Sequence, residues 1–170
     1  MVNSKSKGSS FERKISSILS ERFKTVTGLE TAFRRNIDSG SFFGGSNQQR
    51  TQTHDLSKAS FGDIICPDNF TYSVESKFYK DAPSFNLLVQ QDIKQWDTWL
   101  LQAKQDAVNA NKKMALIVKY NGIPEIVILD QLPTNMIYSF MYKSYYVTTL
   151  TNFLALDDSE FFLDTTGQKI

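Results

Sequence analysis

The chain reads as an α/β domain in which a central mixed β-sheet is flanked by helices. Three patterns point there. Apolar residues recur with helical spacing at Phe11, Ile15, Ile18, Leu19 and Phe23. Strand-like runs at Ile64-Ile65 and Phe70 to Val74 flank the turn residues Pro67-Asp68-Asn69. A second helical stripe then leads into two more β-prone runs. A length of 170 residues suits one domain with a substantial core. Within it we expect a flexible arm over residues 1–8, a core over 9–129 and a C-terminal extension over 130–170.

The first helix is expected over about Ser10 to Phe23, followed by a strand near Glu30 to Ile37 whose Arg34-Arg35 pair straddles its two faces. Residues 38–60 are rich in Ser, Gly, Asn, Gln and Thr. A connection that long inside a compact domain is usually functional or disordered. Within it, Phe42 and Phe43 either stack on a nucleic acid or cover the core, and His54 is most simply a loop residue. The stretch from about Asn86 to Asn109 predicts one long helix, with Val89, Ile93, Trp96, Leu100, Ala103 and Ala107 facing the core. Trp96 and Trp99 read as core anchors. Met114 to Lys119 and Glu125 to Leu129 predict strands joined through Asn121-Gly122 as a tight hairpin. Beyond Pro133 the signals conflict. Met136, Ile137, Phe140, Met141 and Tyr145 have helical spacing, whereas Tyr145 to Leu150 is β-prone.

The chemistry concentrates between Gly62 and Lys77. If the two runs around Pro67 pair as an antiparallel hairpin, Asp63 lies opposite Glu75. Glu75 and Lys77 share a face because strand side chains alternate with period two. Two carboxylates and an ammonium then meet at one end of a hairpin. Asp63, Glu75 and a backbone carbonyl such as that of Ser76 make a shell for Mg²⁺, and Lys77 can stabilise a developing anion beside it. The plain alternative is a turn Asp with Glu75 and Lys77 solvated on an exposed face. Upstream, Glu12 projects between Leu19 and Phe23 at ~100° per residue, inside the apolar stripe. It closes a capping box with Ser9, reaching back to the Ser9 amide, or turns toward a metal, and the two roles can coexist.

A Gly-x-x-Phe-Glu-Arg helix, an Arg-bearing strand leading to Ser39-Gly40, then Gly62-Asp63 and Glu75-Ser76-Lys77 together resemble the PD-(D/E)xK nuclease superfamily, most of all its Holliday junction resolvases and their phage relatives. The resemblance spans residues 8 to 77, and the following helix and strand fit the same core. It implies a restriction-endonuclease-like fold and a metal-dependent phosphodiesterase. Glu12, Asp63 and Glu75 would bind or support the metal, Glu12 through water, and Lys77 would assist catalysis. It also implies a loop serine at Ser39, with Gln102 and Lys119 as polar neighbours of the site. The plainer reading of those two is a surface glutamine and a strand-end lysine. Two features depart from the pattern: Gly rather than Pro precedes Asp63, and the segment from Ser39 to Asp63 is long.

Bulk properties narrow the classes. No apolar run approaches a membrane span, and Met1 to Ser10 lacks the apolar core of a signal peptide, so a cytoplasmic protein is expected, in the host cytoplasm if phage-encoded. One Cys and one His exclude zinc fingers and disfavour His-based hydrolytic triads. Residues 1–58 carry ten Lys or Arg against five Asp or Glu, whereas residues 121–170 carry two against six. The basic N-terminal third, with Arg34, Arg35 and Arg50, is therefore the expected DNA-binding side, to which the resemblance adds Ser39. The expected function is a Mg²⁺-dependent DNA endonuclease, with Mn²⁺ able to substitute, no nucleotide cofactor, branched DNA as substrate and a homodimer as active species. Its C-terminal aromatics Tyr138, Phe140, Tyr142, Tyr145 and Tyr146 are the expected interface. The alternatives are a nuclease of linear duplex or single strands and a non-catalytic DNA-binding accessory protein of the same fold.

Overall fold

The computed structural model describes residues 4–36, 61–164 and 166–168. Helix α1 (Ser4–Arg22) and the short α2 (Lys24–Thr27) lead into β1 (Arg34–Arg35). Then come β2 (Ile64–Ile65), β3 (Tyr72–Tyr79), α3 (Phe85–Gln90), α4 (Lys94–Ala110) and β4 (Lys113–Tyr120). The chain continues through β5 (Ile126–Leu129), β6 (Phe140–Tyr142), β7 (Tyr145–Thr149) and α5 (Leu150–Leu154), and a 3₁₀ turn follows at Asp158–Glu160. The strands form one seven-stranded sheet in the order β1-β2-β3-β4-β5-β7-β6. Only β3 and β4 are parallel, joined by the crossover through α3 and α4; every other pair is antiparallel. The predicted mixed sheet between helices is therefore present.

Two cores lie on opposite faces of this sheet, and strand alternation sorts residues between them. On β4, Ala115 and Ile117 join the core under α1, while Met114, Leu116, Val118 and Tyr120 join the core under α4. Burial on both faces explains why the strand reads as an unbroken apolar run. The α1 side is dense in aromatics: the Phe23 ring lies 4.7 Å from Phe161 and 5.2 Å from Phe162. The α4 side is anchored by Trp96, whose indole N–H donates to the Tyr120 hydroxyl at 2.7 Å. Residues of the 130–170 segment supply two strands of the sheet, and Phe153, Phe161 and Phe162 belong to the α1-side core.

Several local expectations are corrected. Helix α1 begins at Ser4, inside the expected arm, and Lys7 lies over the Phe78 ring at 5.6 Å. Ser9 is consequently a helix-interior residue, so no capping box forms. Of the strand expected at 30–37, the described residues 30–36 form only Arg34–Arg35, and Ile37 lies outside the described residues. The single long helix is broken where Gln91 takes a left-handed φ of 53°, which leaves Val89 exposed rather than in the core. The hairpin at Asn121-Gly122 is looser than a two-residue turn, with β4 ending at Tyr120 and β5 starting at Ile126. The helical spacing after Pro133 is overridden by the β6–β7 hairpin, because packing on the sheet edge buries Tyr142 completely. Tyr142 is thus a core residue and leaves the expected interface set. The Tyr138 hydroxyphenyl ring and Phe140 remain partly exposed.

Candidate active site

Asp63 is placed by its neighbours in the chain. Gly62 adopts φ +85°, and a Cβ there would stand 2.7 Å from the Val74 carbonyl oxygen. Glycine at this position is a steric requirement, which explains the departure from Pro. The close approach lets the Asp63 N–H donate to the Val74 carbonyl at 2.9 Å. Ile64 pairs with Val74, so Asp63 sits beside Glu75 as the hairpin register predicts. Its carboxylate then accepts from the Ser76 backbone N–H at 3.0 Å.

Strand β3 turns one face to each helix layer. Tyr72 and Val74 join the α1-side core, so Glu75 and Lys77 face α4. There Lys77 Nζ donates to Glu75 Oε1 at 2.6 Å, and Gln102 Nε2 donates to the same oxygen at 2.9 Å. Lys77 also reaches the Gln102 side-chain carbonyl at 3.3 Å. Asp63 and Glu75 are both more than nine-tenths buried. Burial, reinforced by the Asp63 charge, pushes the Glu75 carboxyl from its ordinary 4.5 up to about 8, against the opposing pull of Lys77. Burial works to lower the Lys77 ammonium, but the Glu75 and Asp63 charges outweigh it and hold the group above its ordinary value.

One member of this cluster escapes the sequence reading. Asp106 on α4 is raised in pKa by burial and then by the Asp63 charge, and its own charge acts on Glu75 and Lys77. Its sequence signal is present in hindsight: Gln102 and Asp106 are four apart and so share one helix face. Glu75, Asp63 and Asp106 therefore all act through their charge on the Lys77 ammonium. Among the described residues no three His, Cys, Asp or Glu side chains converge to hold a metal unaided. Two buried carboxylates short of positive charge nevertheless suit Mg²⁺, a hard cation that takes one or two carboxylates and keeps several waters.

The other predicted residues scatter. Arg35 pairs across β1–β2 with Ile64, on the α1 side, where its Nε donates to Glu12 Oε2 and its Nη2 to Ser9 Oγ at 3.1 Å. Glu12 is thus an ion-pair partner of Arg35, not a cap, and the charges acting on Glu75 are those of Asp63, Lys77 and Asp106. Arg34 is exposed and donates to the Thr31 carbonyl at 3.3 Å. Lys119 aligns with Phe78, on the sheet face opposite Lys77, and bonds the Ile123 carbonyl and Glu125 instead of the cluster. Gln102 is brought to the site; Lys119 is not. Ser39, Arg50, Phe42, Phe43 and His54 lie outside the described residues.

No described helix is long and apolar enough to cross a membrane. No curated protein and no solved structure matches the chain. A family model described as "Phage putative PDDEXK endonuclease" matches residues 3–166, nearly the whole chain and all of the cluster just described. With its seven-stranded mixed sheet between helices, Asp63 just before β2 and Glu75 and Lys77 on the adjoining β3, the chain belongs to the phage PDDEXK endonuclease family, nucleases with a restriction-endonuclease-like α/β core.

Proposed function

We propose that this protein is a Mg²⁺-dependent DNA endonuclease, with Mn²⁺ as a working substitute, and that its substrate is branched DNA of the four-way-junction type. The observation that carries the chemistry is the buried Asp63–Glu75 pair with Lys77 bonded to Glu75. Asp63, Glu75 and the Ser76 carbonyl would hold the ion. When bound, it supplies Lewis-acid polarisation of a phosphate oxygen and lowers the pKa of a water. Lys77, released from Glu75, donates to the phosphate oxygen on which charge develops. Gln102 holds both side chains in place, and the charges of Glu75 and Asp63, with a smaller contribution from Asp106, favour the Lys77 ammonium. Glu12 supports the site through Arg35, whose strand adjoins β2.

Branched DNA is favoured by the resemblance of the Glu12 helix, the Arg strand and the Asp63…Lys77 motif to the junction resolvases. One carboxylate cluster per chain makes a two-fold dimer the simplest way to cut a two-fold substrate twice. Exposed Ile137, Tyr138, Phe140 and Met141 along the β6 edge supply an apolar surface for it. The test is a gel assay on four-way junction, duplex and single-stranded DNA, with and without Mg²⁺, alongside Asp63→Asn. Junction cleavage that needs metal and disappears in the variant supports the reading. Cleavage of duplex or single strands alone moves the substrate to linear DNA. No cleavage of any substrate with Mg²⁺ or Mn²⁺ refutes it.

A further inference from the structure

The outer face of α1 and strand β1 enclose a groove of about 530 Å³, lined among others by Arg13, Ser16, Ser17, Ser20, Phe33 and Arg34. Four arginines lie among the described residues, and they divide cleanly. Arg22 is paired with Asp158 and Arg35 with Glu12. Arg13 and Arg34 meet no carboxylate among the described residues, and both line this one groove. Ser17 lies four residues beyond Arg13, on the same helix face. The neighbouring serines are spoken for: the Ser16 hydroxyl donates to the Arg13 carbonyl and the Ser20 hydroxyl to the Phe33 carbonyl. Ser17 makes no such bond among the described residues and keeps its hydroxyl for the groove.

The groove has a polarity. Glu21 also lines it, eight residues past Arg13 and so about 12 Å further along the helix. Glu30 lines it too, already neutralised by Lys24 at 2.9 Å. The basic end is the end near the carboxylate cluster, because β1 runs straight into it: the Asn36 N–H donates to the Asp63 carbonyl at 2.8 Å. Two guanidiniums with no carboxylate partner among the described residues, and a hydroxyl beside small side chains, match the spaced oxyanions of a phosphodiester chain, and guanidiniums are suited to phosphate.

We infer that this groove binds the DNA backbone on one side of the cleaved bond, with Arg13 and Arg34 each contacting a phosphate and Ser17 donating to a phosphate oxygen. It rests on the nuclease reading for its position beside the site. It also divides the adjacent Arg pair by role, with Arg34 contacting DNA and Arg35 bracing Glu12.

The test measures junction and duplex binding by fluorescence anisotropy without divalent metal, across a salt series, for Arg13→Gln/Arg34→Gln and for Lys143→Gln. Lys143 lies on the β6–β7 hairpin, at the opposite edge of the sheet. The groove variant should bind roughly tenfold more weakly, with a log–log salt slope shallower by about 2, since each lost phosphate contact removes a released counterion. Lys143→Gln should bind like the unaltered protein. Unaltered affinity and slope in a groove variant with a native melting curve overturn the inference, as does an equal loss in Lys143→Gln. If the groove variant melts early, Arg13→Lys/Arg34→Lys decides: retained binding supports the groove and a full loss overturns it. Failure of the nuclease reading is separate, because it shows as absent cleavage by the unaltered protein whatever the groove does.

Discussion

Replacing Glu75 with Gln should make the metal-free protein more stable while destroying its activity. In the unfolded chain Glu75 ionises near its ordinary 4.5, whereas in the folded protein it holds its proton up to about 8. Between those values the folded state binds a proton that the unfolded state has lost, so stability falls as pH rises. The contribution is intact below about pH 4.5 and lost as pH climbs through 8. At 1.36 kcal/mol per pKa unit the cost is about 3 kcal/mol at pH 7 and roughly 4 kcal/mol at pH 8. Gln imitates the neutral carboxyl, and its side-chain oxygen still accepts from Lys77 and Gln102, so it escapes this cost. Urea unfolding in EDTA, run from pH 4.5 to 8.5, should show the two proteins matching at the acid end and the variant pulling ahead by about 3 kcal/mol at pH 7. Adding Mg²⁺ should then stabilise the unaltered protein and leave Glu75→Gln unmoved. A variant less stable than the parent at pH 8, or a gap that ignores pH, would show that Glu75 is not held in a charge-starved site. Such a stability cost at a catalytic cluster is the expected mark of function over folding.

Gly62→Ala should destabilise the fold by roughly 1–3 kcal/mol and reduce cleavage, because a Cβ at φ +85° meets the Val74 carbonyl and displaces Asp63; thermal melts and a cleavage assay read both effects, and a fully active, equally stable variant contradicts the placement. Glu12→Gln keeps an acceptor for Arg35 and should hold its urea midpoint while losing at least about tenfold in activity, whereas Glu12→Ala leaves a half-buried guanidinium unpaired and should also cost about 2 kcal/mol. Full activity in Glu12→Gln would return the residue to a purely structural role. Light scattering at micromolar concentration, with and without junction DNA, should report a dimer; a monomer in both conditions would favour a nicking or single-strand nuclease with the same metal chemistry.

Local pattern carried the active-site motif a long way. The turn at Pro67 to Asn69 fixes the Ile64↔Val74 register, and that register with strand alternation is enough to bring Asp63, Glu75 and Lys77 together. The helix-period stripes likewise foretold the core residues of α1 and most of those of α4. Where local signals competed, the tertiary contacts chose. Ser9-x-x-Glu12 reads as a cap only if the helix begins there, and its N-terminal extension to Ser4 handed Glu12 to Arg35. Residues 136–145 keep helical spacing, yet an open sheet edge beside β5 drew Tyr145–Thr149 into pairing and Phe140–Tyr142 after it.

By itself, then, the amino-acid order determined everything carried by short-range geometry: the hairpin, the alternation on β3, the amphipathic faces, and with them the meeting of Asp63, Glu75 and Lys77, the trio we propose as catalytic. Only the folded chain decided which distant segments meet that trio. Lys119 and Gln102 were equal candidates on paper; the parallel β3–β4 register put Lys119 on the far face of the sheet, while α4 packed over Glu75 and carried Gln102 and Asp106 with it. The reason is physical. Which face of a sheet a residue joins depends on the pairing of strands separated by a crossover, and such long-range contacts are set by burial of both cores together rather than by any local sequence preference.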